Sequence, residues 1–501
     1  MFPEAKRNRS SLSHAESRHP RAKNLALALL AATQFIIVID ASITNVALPS
    51  IGKDLKITQA DLSWVVNAYT LTFGGFLLLG GRLADLVGRR RMFMTGLAVF
   101  GLGSFLGGVA GNQDFLVGAR GLQGLGAALV SPAALSLVTT IFAEGSERNR
   151  ALGVWGAVGG AGGAAGVLMG GVLTEIDWRL VLFVNVPFAI LMAGLAPRLL
   201  SESKADTDVS SFDIPGAVTV TAGLALLVYA LVDAESAGWS SGTTIGRLAG
   251  AAALIAAFAV IEHRTRHPLM PFGIFRLRTL RGANIAGLLT GMSLFSMFLF
   301  ISFYLQYVLG YSALKTGIAY LPLSIVIIIS AGIASQLVTR LGFKPTLLFG
   351  LALTGGGLLW FSGIDAHGGY LSDVLGPSMV AGAGLGFTFV PVTIAAVTGT
   401  TPQEAGLASG LINTSQQVGG ALGVAILVSI STSRIAEFGP VQATARNPEA
   451  LTAGYSRAFL IGACFALAAA VISSFTISSK DSKEQAEAAR SGDATAVPAV
   501  A

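Results

Sequence analysis

Residues 24–49 read NLALALLAATQFIIVIDASITNVALP, an apolar run that contains a single charged residue, Asp40. A helix needs about 20 mostly apolar residues to cross the hydrocarbon core of a membrane. A basic stretch precedes the run and no convincing cleavage site follows it, so we interpret it as a first transmembrane helix and not as a signal peptide. This stretch predicts an integral membrane protein.

Similar apolar runs recur along the whole chain. The 501 residues are 53% hydrophobic and 12% charged, whereas soluble domains carry about 25% charged residues. The runs predict an all-α membrane protein with fourteen transmembrane spans, at residues 24–49, 62–81, 92–110, 115–140, 151–173, 180–197, 214–232, 248–261, 282–307, 317–339, 345–364, 374–400, 405–432 and 458–478.

Lys and Arg indicate which span ends face the cytoplasm. With both termini inside, roughly three quarters of the 33 Lys and Arg lie in inner segments, as the positive-inside rule requires. The largest inner basic loop precedes the ninth span and divides the chain. We predict a cytoplasmic basic tail, a six-helix bundle, a linker with two extra transmembrane helices, a second six-helix bundle and a disordered cytoplasmic tail, at residues 1–23, 24–200, 201–280, 281–478 and 479–501.

Composition limits the possible chemistry. The single cysteine, Cys464, excludes an intramolecular disulfide, and all five histidines fall outside the predicted spans. We therefore expect no metal, no cofactor and no enzyme, because a membrane enzyme would need His or paired carboxylates within its spans. No basic stripe with interleaved aromatic residues is present, so we expect no nucleic-acid partner.

Only two ionisable residues, Asp40 and Arg120, lie inside the predicted spans. A charge at mid-bilayer costs about 3 kcal/mol or more, so such residues are functional candidates. Both fall in the outer half of their spans, where they could face each other or a shared cavity. Burial favours a neutral carboxyl and a nearby Arg favours a carboxylate, so Asp40 could exchange a proton when its surroundings change. The alternative is a static ion pair that locks two helices.

The inner loop between spans 2 and 3 reads GRLADLVGRRR, residues 81–91. Asp85 and Arg89 would lie in the tight turn between two helices, where they can pair with each other, with neighbouring loops or with a helix terminus. An ordinary positive-inside anchor is the alternative, but it does not explain Asp85, Gly81 or Gly88.

Span 5 is rich in glycine. Gly162, Gly166 and Gly170 recur every fourth residue, so one helix face is nearly bare backbone that permits close contact and bending. A phosphate-binding loop is rejected, because no Lys follows and the segment lies within an apolar helix.

At these residues the chain resembles the major facilitator superfamily, and within it the 14-span family of drug/proton antiporters. Span 5 follows the antiporter glycine motif, with glycines at 153, 162 and 166, although Val167 stands where the motif usually has proline. The other segments that resemble the family's motifs are IDASITNVALP (39–49), GRLADLVGRRR (81–91), LVGARGLQGLGAA (116–128), WRLVLFVNVP (178–187), FDIPG (212–216) and GLASGLINTSQQVGGALG (406–423).

The resemblance implies two six-helix bundles around a cavity that opens alternately to each side, with residues 81–91 as a gate. It places Arg120 in proton coupling with Asp40, and Gln123 and Gly124 beside it. Some family members have a second acidic residue in span 10, but residues 317–339 contain none.

The sequence therefore predicts a proton-coupled antiporter that exports small amphiphilic organic compounds across the cytoplasmic membrane. Its expected partners are a small-molecule substrate, protons and membrane lipid, and we expect a monomer. The alternative is a transporter dedicated to one metabolite, which it imports or exports by facilitated or proton-coupled transport. Polar or aromatic residues on the spans are candidates for substrate contact, or else for contacts between helices: Gln34, Asn67, Asn284, Phe295, Gln306, Asn413 and Gln416.

Overall fold

The computed structural model describes residues 20–57, 64–143, 145–203, 213–265, 268, 270–401, 404–439 and 447–491. Every regular element within these ranges is helical. Residues 1–19 of the predicted basic tail and residues 492–501 of the predicted C-terminal tail lie outside the described residues.

A long helix lies at the position of each predicted span. The long helices are α1 (Pro20–Leu55), α2 (Trp64–Val87), α3 (Arg89–Gly108), α4 (Gln113–Ile141), α5 (Ser146–Ile176), α6 (Asn185–Leu199), α7 (Ile214–Ala237), α8 (Gly242–Arg264), α9 (Arg278–Phe303), α10 (Leu321–Leu341), α11 (Phe343–Phe361), α12 (Gly376–Val397), α13 (Ala405–Ala436) and α14 (Pro448–Thr476). A final helix, α15, covers Ser479–Ser491. The short segments next to these helices are Leu180–Phe183, Phe272–Arg276, Tyr304–Val308, Ala313–Ala319 and Tyr370–Leu375.

Eleven helical stretches among the described residues are long and apolar enough to cross a membrane. Two shorter apolar stretches, Ala165–Ile176 and Pro215–Leu231, lie in α5 and α7. The prediction of a multi-span, all-helical membrane protein is confirmed, whereas the count of fourteen crossings stays a prediction.

Polar caps explain where several of these helices begin. Asn112, Asp213, Ser241 and Asn447 precede α4, α7, α8 and α14, and the side chain of each accepts a backbone N–H of the first turn. Such a cap satisfies a donor that the helix itself leaves unpaired. The helices therefore begin where a short polar residue meets an apolar run.

The helices pack as two groups of six and a pair. In the first group α4 packs against α2 and α3, and α1 packs against α5. In the second group α12 packs against α10 and α11, and α9 packs against α13 and α14. The groups meet where α5 contacts α10 and where α2 contacts α13, while α7 and α8 pack on each other and α7 also packs on α2. Helix ends on the side of residues 81–91 are called inner ends below.

Glycine allows α3 and α4 to approach closely. A Cβ atom placed on Gly103 would lie 2.6 Å from the backbone nitrogen of Gln123, and one on Gly96 would lie 2.9 Å from the carbonyl oxygen of Gly126. These distances are too short for any side chain beyond hydrogen. The close approach brings the polar side chains of α4 against α3.

Two helices run past the predicted spans and carry charges there, while the expectation that only Asp40 and Arg120 are ionisable within the spans stays a prediction. Helices α7 and α8 extend beyond the predicted limits of 214–232 and 248–261 and so include Asp233, Arg247 and Glu262. Asp233 forms an ion pair with Arg247, and Glu262 accepts the backbone N–H of Met270. The longer helices tolerate these charges because each is paired or hydrogen-bonded.

The structure corrects the expectation of disorder over residues 479–501, because residues 479–491 form α15. Three alanines, Ala486, Ala488 and Ala489, are buried on one face of this helix. The Ser482 hydroxyl accepts the backbone N–H of Lys344 at 3.0 Å, at the start of α11. A polar composition predicted disorder, but the small alanine face is enough to dock the helix on the inner ends of the bundle.

Candidate functional site

Asp40 of α1 and Arg120 of α4 form a fully buried ion pair. The Nη1 atom of Arg120 lies 2.8 Å from Oδ2 of Asp40, and both side chains have 0% exposure. The expected proximity of these residues is therefore observed. An isolated charge would be costly in this interior, so each group depends on the other for compensation.

Three amide or hydroxyl side chains complete the surroundings of the pair. Gln123 donates to Oδ1 of Asp40 at 2.7 Å and accepts from Nη1 of Arg120 at 2.5 Å. Asn185 of α6 donates to the same Asp40 oxygen at 2.7 Å. Gln123 also donates to the Ser104 hydroxyl of α3 at 2.6 Å. Asp40 thus accepts hydrogen bonds from three side chains, Arg120, Gln123 and Asn185.

Helix α2 provides the remaining contacts of Arg120. The Nε atom of Arg120 donates to the backbone carbonyl of Val65 at 3.1 Å, and the Arg120 guanidinium lies 4.5 Å from the ring centroid of Tyr69. Among the described residues, Nη2 of Arg120 and the Tyr69 hydroxyl have no hydrogen-bond partner. The network therefore joins α1, α2, α3, α4 and α6 around one carboxylate and one cation.

This geometry links the protonation of Asp40 to the arrangement of the helices. A proton on Asp40 removes its negative charge and leaves Arg120 as a buried cation without compensation. Breaking a buried ion pair costs about 3–5 kcal/mol, so the helices must rearrange or another group must compensate Arg120. Proton coupling at this site stays a prediction.

Sequence reasoning found only part of this network. Gln123 was placed beside Arg120 by the motif, but Asn185, Ser104 and Tyr69 were not singled out. Asn185 was detectable in principle, since it is the polar residue within the apolar run LVLFVNVP at 180–187. Ser104 and Tyr69 carry no comparable signal, because isolated Ser and Tyr are common in membrane helices.

The inner loop joins the two helix groups through Asp85. Its carboxylate accepts the backbone N–H groups of Gly406 and Leu407, each at 3.1 Å, at the first turn of α13. Arg89 donates to the same carboxylate at 2.9 Å, and both side chains are buried. A carboxylate suits a helix N-terminus, where unpaired N–H groups and the helix dipole favour negative charge. The loop thus makes more contacts than a membrane anchor requires.

Gly81, within α2, and Gly88, between α2 and α3, lie where a side chain would not fit. A Cβ on Gly81 would lie 2.6 Å from the Gly406 carbonyl oxygen. Gly88 has a φ of 123°, a backbone conformation that favours glycine. The carboxylate of Glu202 accepts the backbone N–H groups of Arg90 and Arg91, each at 3.1 Å, and so caps α3. Sequence reasoning did not single out Glu202.

The three glycines of α5 face α1. A Cβ on Gly162 would lie 2.7 Å from Val38, and Cβ atoms on Gly166 and Gly170 would meet the backbone carbonyls of Ile39 and Ile43. These glycines therefore permit close packing of α5 on α1. Helix α5 is continuous through Val167, and a hinge role of the three glycines stays a prediction.

Two of the seven substrate candidates contact neighbouring helices, and a role of the seven in substrate binding stays a prediction. Asn284 accepts from the Ser415 hydroxyl at 2.9 Å, which links α9 to α13. Gln34 accepts from Ser131 at 3.4 Å, between α1 and α4. These two residues contact neighbouring helices, as the alternative interpretation held. The exposure of the others varies: Gln306 and Phe295 are exposed, whereas Asn67, Asn413 and Gln416 are half-buried.

Aromatic side chains that the sequence did not single out line the interface of the two groups. Phe298 of α9 stacks on Tyr320 beside α10, with ring centroids 5.6 Å apart. A Cβ on Gly163 of α5 would lie 3.6 Å from the Phe298 ring. This aromatic surface lies between the helix groups, where an amphiphilic compound could be held by apolar contact.

A second inner contact between the groups is centred on Asn149 of α5. Its side chain donates to the Thr339 hydroxyl of α10 at 3.1 Å and accepts from Gln485 of α15 at 2.9 Å. The Ser335 hydroxyl of α10 donates to its backbone carbonyl at 2.8 Å. Together with Asp85, these bonds hold the inner ends of the two groups together.

Comparison with known proteins identifies similar sequences. The sequence profile described as Major Facilitator Superfamily matches residues 30–424. A puromycin resistance protein of Streptomyces alboniger is 40% identical over 445 residues, which cover 88% of this chain and 88% of the relative. A cephamycin export protein of Amycolatopsis lactamdurans is 40% identical over 451 residues, which cover 89% of this chain and 91% of the relative.

A solved structure has a similar fold. The crystal structure of a human organic anion transporter superposes with a TM-score of 0.64 at 14% identity, covering 91% of this chain and 100% of that chain. At this identity the similarity concerns the fold alone.

Proposed function

Because the chain belongs to the major facilitator superfamily, we propose that it is an efflux transporter that exports small amphiphilic organic compounds in exchange for protons. The proposed substrates are drugs, antibiotics or secondary metabolites. The names of the two relatives, a resistance protein and an export protein, support export over import.

One observation carries the proposed proton coupling. Asp40 and Arg120 are fully buried and paired, and Gln123 and Asn185 both donate to the carboxylate. A static pair would need the same donors, because every buried carboxylate must have its oxygens hydrogen-bonded. What supports coupling is that this pair joins five helices, so a change of charge on Asp40 would disturb the contacts of all five.

The proposed cycle begins with the arrangement seen here, in which the inner ends are in contact. A proton that reaches Asp40 from outside neutralises the carboxylate and weakens its bond to Arg120. The helices of the first group then rearrange, the inner contacts at Asp85 and Asn149 separate, and the cavity opens inward. Substrate binding and release of the proton to the cytoplasm complete the exchange.

The proposed topology has fourteen membrane helices, α1 to α14, with both termini on the cytoplasmic side of the cell membrane. The inner excess of Lys and Arg supports this orientation. In this topology residues 24–200 and 281–478 form the two moving bundles, and residues 201–280 link them. We propose that the protein works as a monomer surrounded by lipid.

The experiment that tests this function measures efflux from cells and proteoliposomes. Expression should lower susceptibility to at least one amphiphilic antibiotic or dye, and purified protein should transport that compound when a pH gradient is imposed. Asp40→Asn should abolish the gradient-driven efflux while leaving the protein folded and inserted. Normal gradient-driven efflux by this variant would refute the proposed coupling.

Asp54, at the outer end of the same helix, provides a matched control. It pairs with Arg179 at 2.8 Å and accepts from the Trp178 indole at 3.0 Å. These two donors hold the pKa of the Asp54 carboxyl below its usual range. Asp54→Asn removes an outer charge but not the buried pair, so coupled efflux should persist.

A dedicated exporter of one compound is the second candidate function. The two relatives are each named for a single antibiotic, which favours it. A panel of structurally unrelated antibiotics separates the two functions, because a dedicated exporter should protect against one chemical class only.

A further inference from the structure

A groove lies between the two helix groups at their inner ends, away from the buried ion pair. It encloses about 710 Å³ and is formed by α5, α10 and one residue of α1, Phe35. The middle of the groove is apolar, with Val154, Ala157, Val158 and Ile328 among the residues that line it.

The groove opens sideways, away from the interface at the centre of the molecule. On α5, Gly163 faces Phe298 of α9, and Val154 lies about 180° around the helix from Gly163. Val154 is 36% exposed and Ile328 of α10 is 49% exposed. In a membrane these surfaces face lipid, so the groove is accessible from the bilayer.

The inner end of the groove is polar and positively charged. Arg150 and Arg340 both line it, together with Ser146, Gln336 and Thr339. Both arginines are exposed, and neither forms an ion pair with a described residue. The nearby carboxylate of Glu147 is already paired with Lys23 and accepts the backbone N–H of Ala143. The inner end of the groove therefore carries two cations that are not neutralised by described residues.

We propose that this groove binds an anionic phospholipid of the inner leaflet. The phosphate lies between Arg150 and Arg340, which match the charge and the bidentate geometry of phosphate. One acyl chain lies along the apolar middle of the groove, toward Phe35. Along α10, the part of the groove from Arg340 to Ile328 is about 18 Å long at a rise of 1.5 Å per residue. This length suits an acyl chain better than a compact solute. The proposal uses the orientation of the proposed function but does not depend on which compound is exported.

Binding at this place affects the two helix groups together. One wall of the groove belongs to α5 and the other to α10, beside the bond from Ser335 to the Asn149 carbonyl. A lipid that contacts both walls stabilises the arrangement in which the inner ends touch. The lipid composition of the inner leaflet therefore regulates how readily the inner side opens.

The first test measures lipid binding to the purified full-length protein in detergent, by native mass spectrometry with phosphatidylglycerol and phosphatidylcholine. We expect tighter binding of phosphatidylglycerol. Each arginine near a membrane surface contributes about fivefold to the affinity for anionic lipid, so Arg150→Gln with Arg340→Gln should weaken phosphatidylglycerol binding about 25-fold. Phosphatidylcholine binding should weaken less, because the choline cation offsets the charge of its phosphate.

A matched pair of charge variants controls for general surface attraction. Arg198 and Arg281 are exposed arginines near inner helix ends that do not line the groove. Arg198→Gln with Arg281→Gln should change phosphatidylglycerol affinity less than twofold. An equal loss in both pairs, or no loss in the groove pair, overturns the proposal.

A steric variant tests the acyl-chain part independently of charge. Gly332 lines the groove, and a Cβ placed on it would meet no atom within 4 Å. Gly332→Leu should therefore fold normally and weaken phosphatidylglycerol binding about tenfold by filling the groove. Gly356→Leu, at a glycine of α11 that is equally open, is the control and should bind as the native protein does. Inorganic phosphate alone should not compete at matched concentration, and if it does, or if Gly332→Leu binds normally, the lipid assignment is wrong.

Discussion

At the scale of single residues, the buried carboxylate of Asp40 has more hydrogen-bond donors than one salt bridge would supply. Arg120, Gln123 and Asn185 all donate to it at 2.7–2.8 Å. A buried carboxylate needs such donors to replace the hydrogen bonds that water would supply. Each donor therefore contributes to the stability of the network.

This reasoning predicts the effect of Asn185→Ala. This variant removes one of the three donors to the buried carboxylate and leaves an oxygen of Asp40 short of a hydrogen bond. Hydrogen bonds to charged groups are worth about 1.5–3 kcal/mol, so gradient-driven efflux measured in proteoliposomes should fall by about tenfold or more.

Ser104→Ala is the graded comparison for that variant. Ser104 accepts from Gln123 but does not touch Asp40, so its removal should lower efflux by less than Asn185→Ala does. Equal losses in the two variants, or no loss in Asn185→Ala, would contradict a direct role for Asn185.

At the scale of helices, two carboxylates cap helix N-termini at the inner end, but they do so for different partners. Asp85 caps α13, which belongs to the other helix group, whereas Glu202 caps α3 of its own group. A cap of this kind contributes about 0.5–2 kcal/mol to the stability of the helix or the protein. The first stabilises one arrangement of the groups, and the second stabilises the fold in every arrangement.

We therefore expect Asp85→Asn and Glu202→Gln to have different effects. Asp85→Asn should lower the turnover number per folded molecule more than it weakens substrate binding, and it should also lower the melting temperature, because Arg89 stays buried without its carboxylate. Glu202→Gln should lower the melting temperature with little change in turnover per folded molecule. Transport kinetics together with thermal unfolding distinguish them, and unchanged kinetics in Asp85→Asn would leave the loop as a membrane anchor.

Helix α15 contacts both groups and should restrain their separation. Gln485 bonds to Asn149 of α5, and Ser482 bonds to the start of α11. Removal of residues 479–501 should increase the population in which the inner ends are apart. Spin labels at Arg91→Cys and Arg281→Cys, in a protein with Cys464→Ser, should then show a larger long-distance fraction.

Gln485→Ala is the milder version of this change, and it should move the distances in the same direction by a smaller amount. Identical distance distributions in the full-length and truncated proteins would show that α15 does not restrain the inner ends.

The helices were predictable from sequence because the signals are local. A run of apolar residues such as 24–49 is sufficient to predict a membrane helix, and a short polar residue such as Asn112 predicts where one begins. Helix ends were less predictable, because charges such as Asp233 and Arg247 are tolerated once they pair across two helices. Helix α15 was not predicted for a related reason. Its buried alanines stabilise the helix only because they pack on the inner ends of the bundle, and the local sequence does not show that contact.

The site was predictable only where a residue is unusual for its surroundings. Asp40 and Arg120 stood out as charges in apolar runs, and their pairing is observed at 2.8 Å. Tyr69 and Ser104 join the network through packing that depends on glycines such as Gly103. The substrate candidates were chosen by polarity alone, and Asn284 shows that a polar residue on a span can equally serve to join two helices.

At the scale of the whole molecule, the structure links one buried ion pair to contacts at the inner end that hold two groups of helices together. Five of the helices in the first group meet at the Asp40 network, and two of these, α2 and α4, also pack against the second group. A change of charge at Asp40 can therefore reach the inner contacts through rigid helices. Coupling of this kind requires that proton and substrate move in one exchange.

The most direct measurement of that exchange records proton flux while only substrate drives transport. Proteoliposomes with a pH-sensitive dye in the lumen and no initial pH gradient would receive an outward or inward gradient of an exported compound. We predict that the substrate gradient drives an opposite proton flux in the native protein and in Asp54→Asn, and none in Asp40→Asn. Substrate movement without any change in luminal pH in the native protein would contradict the account.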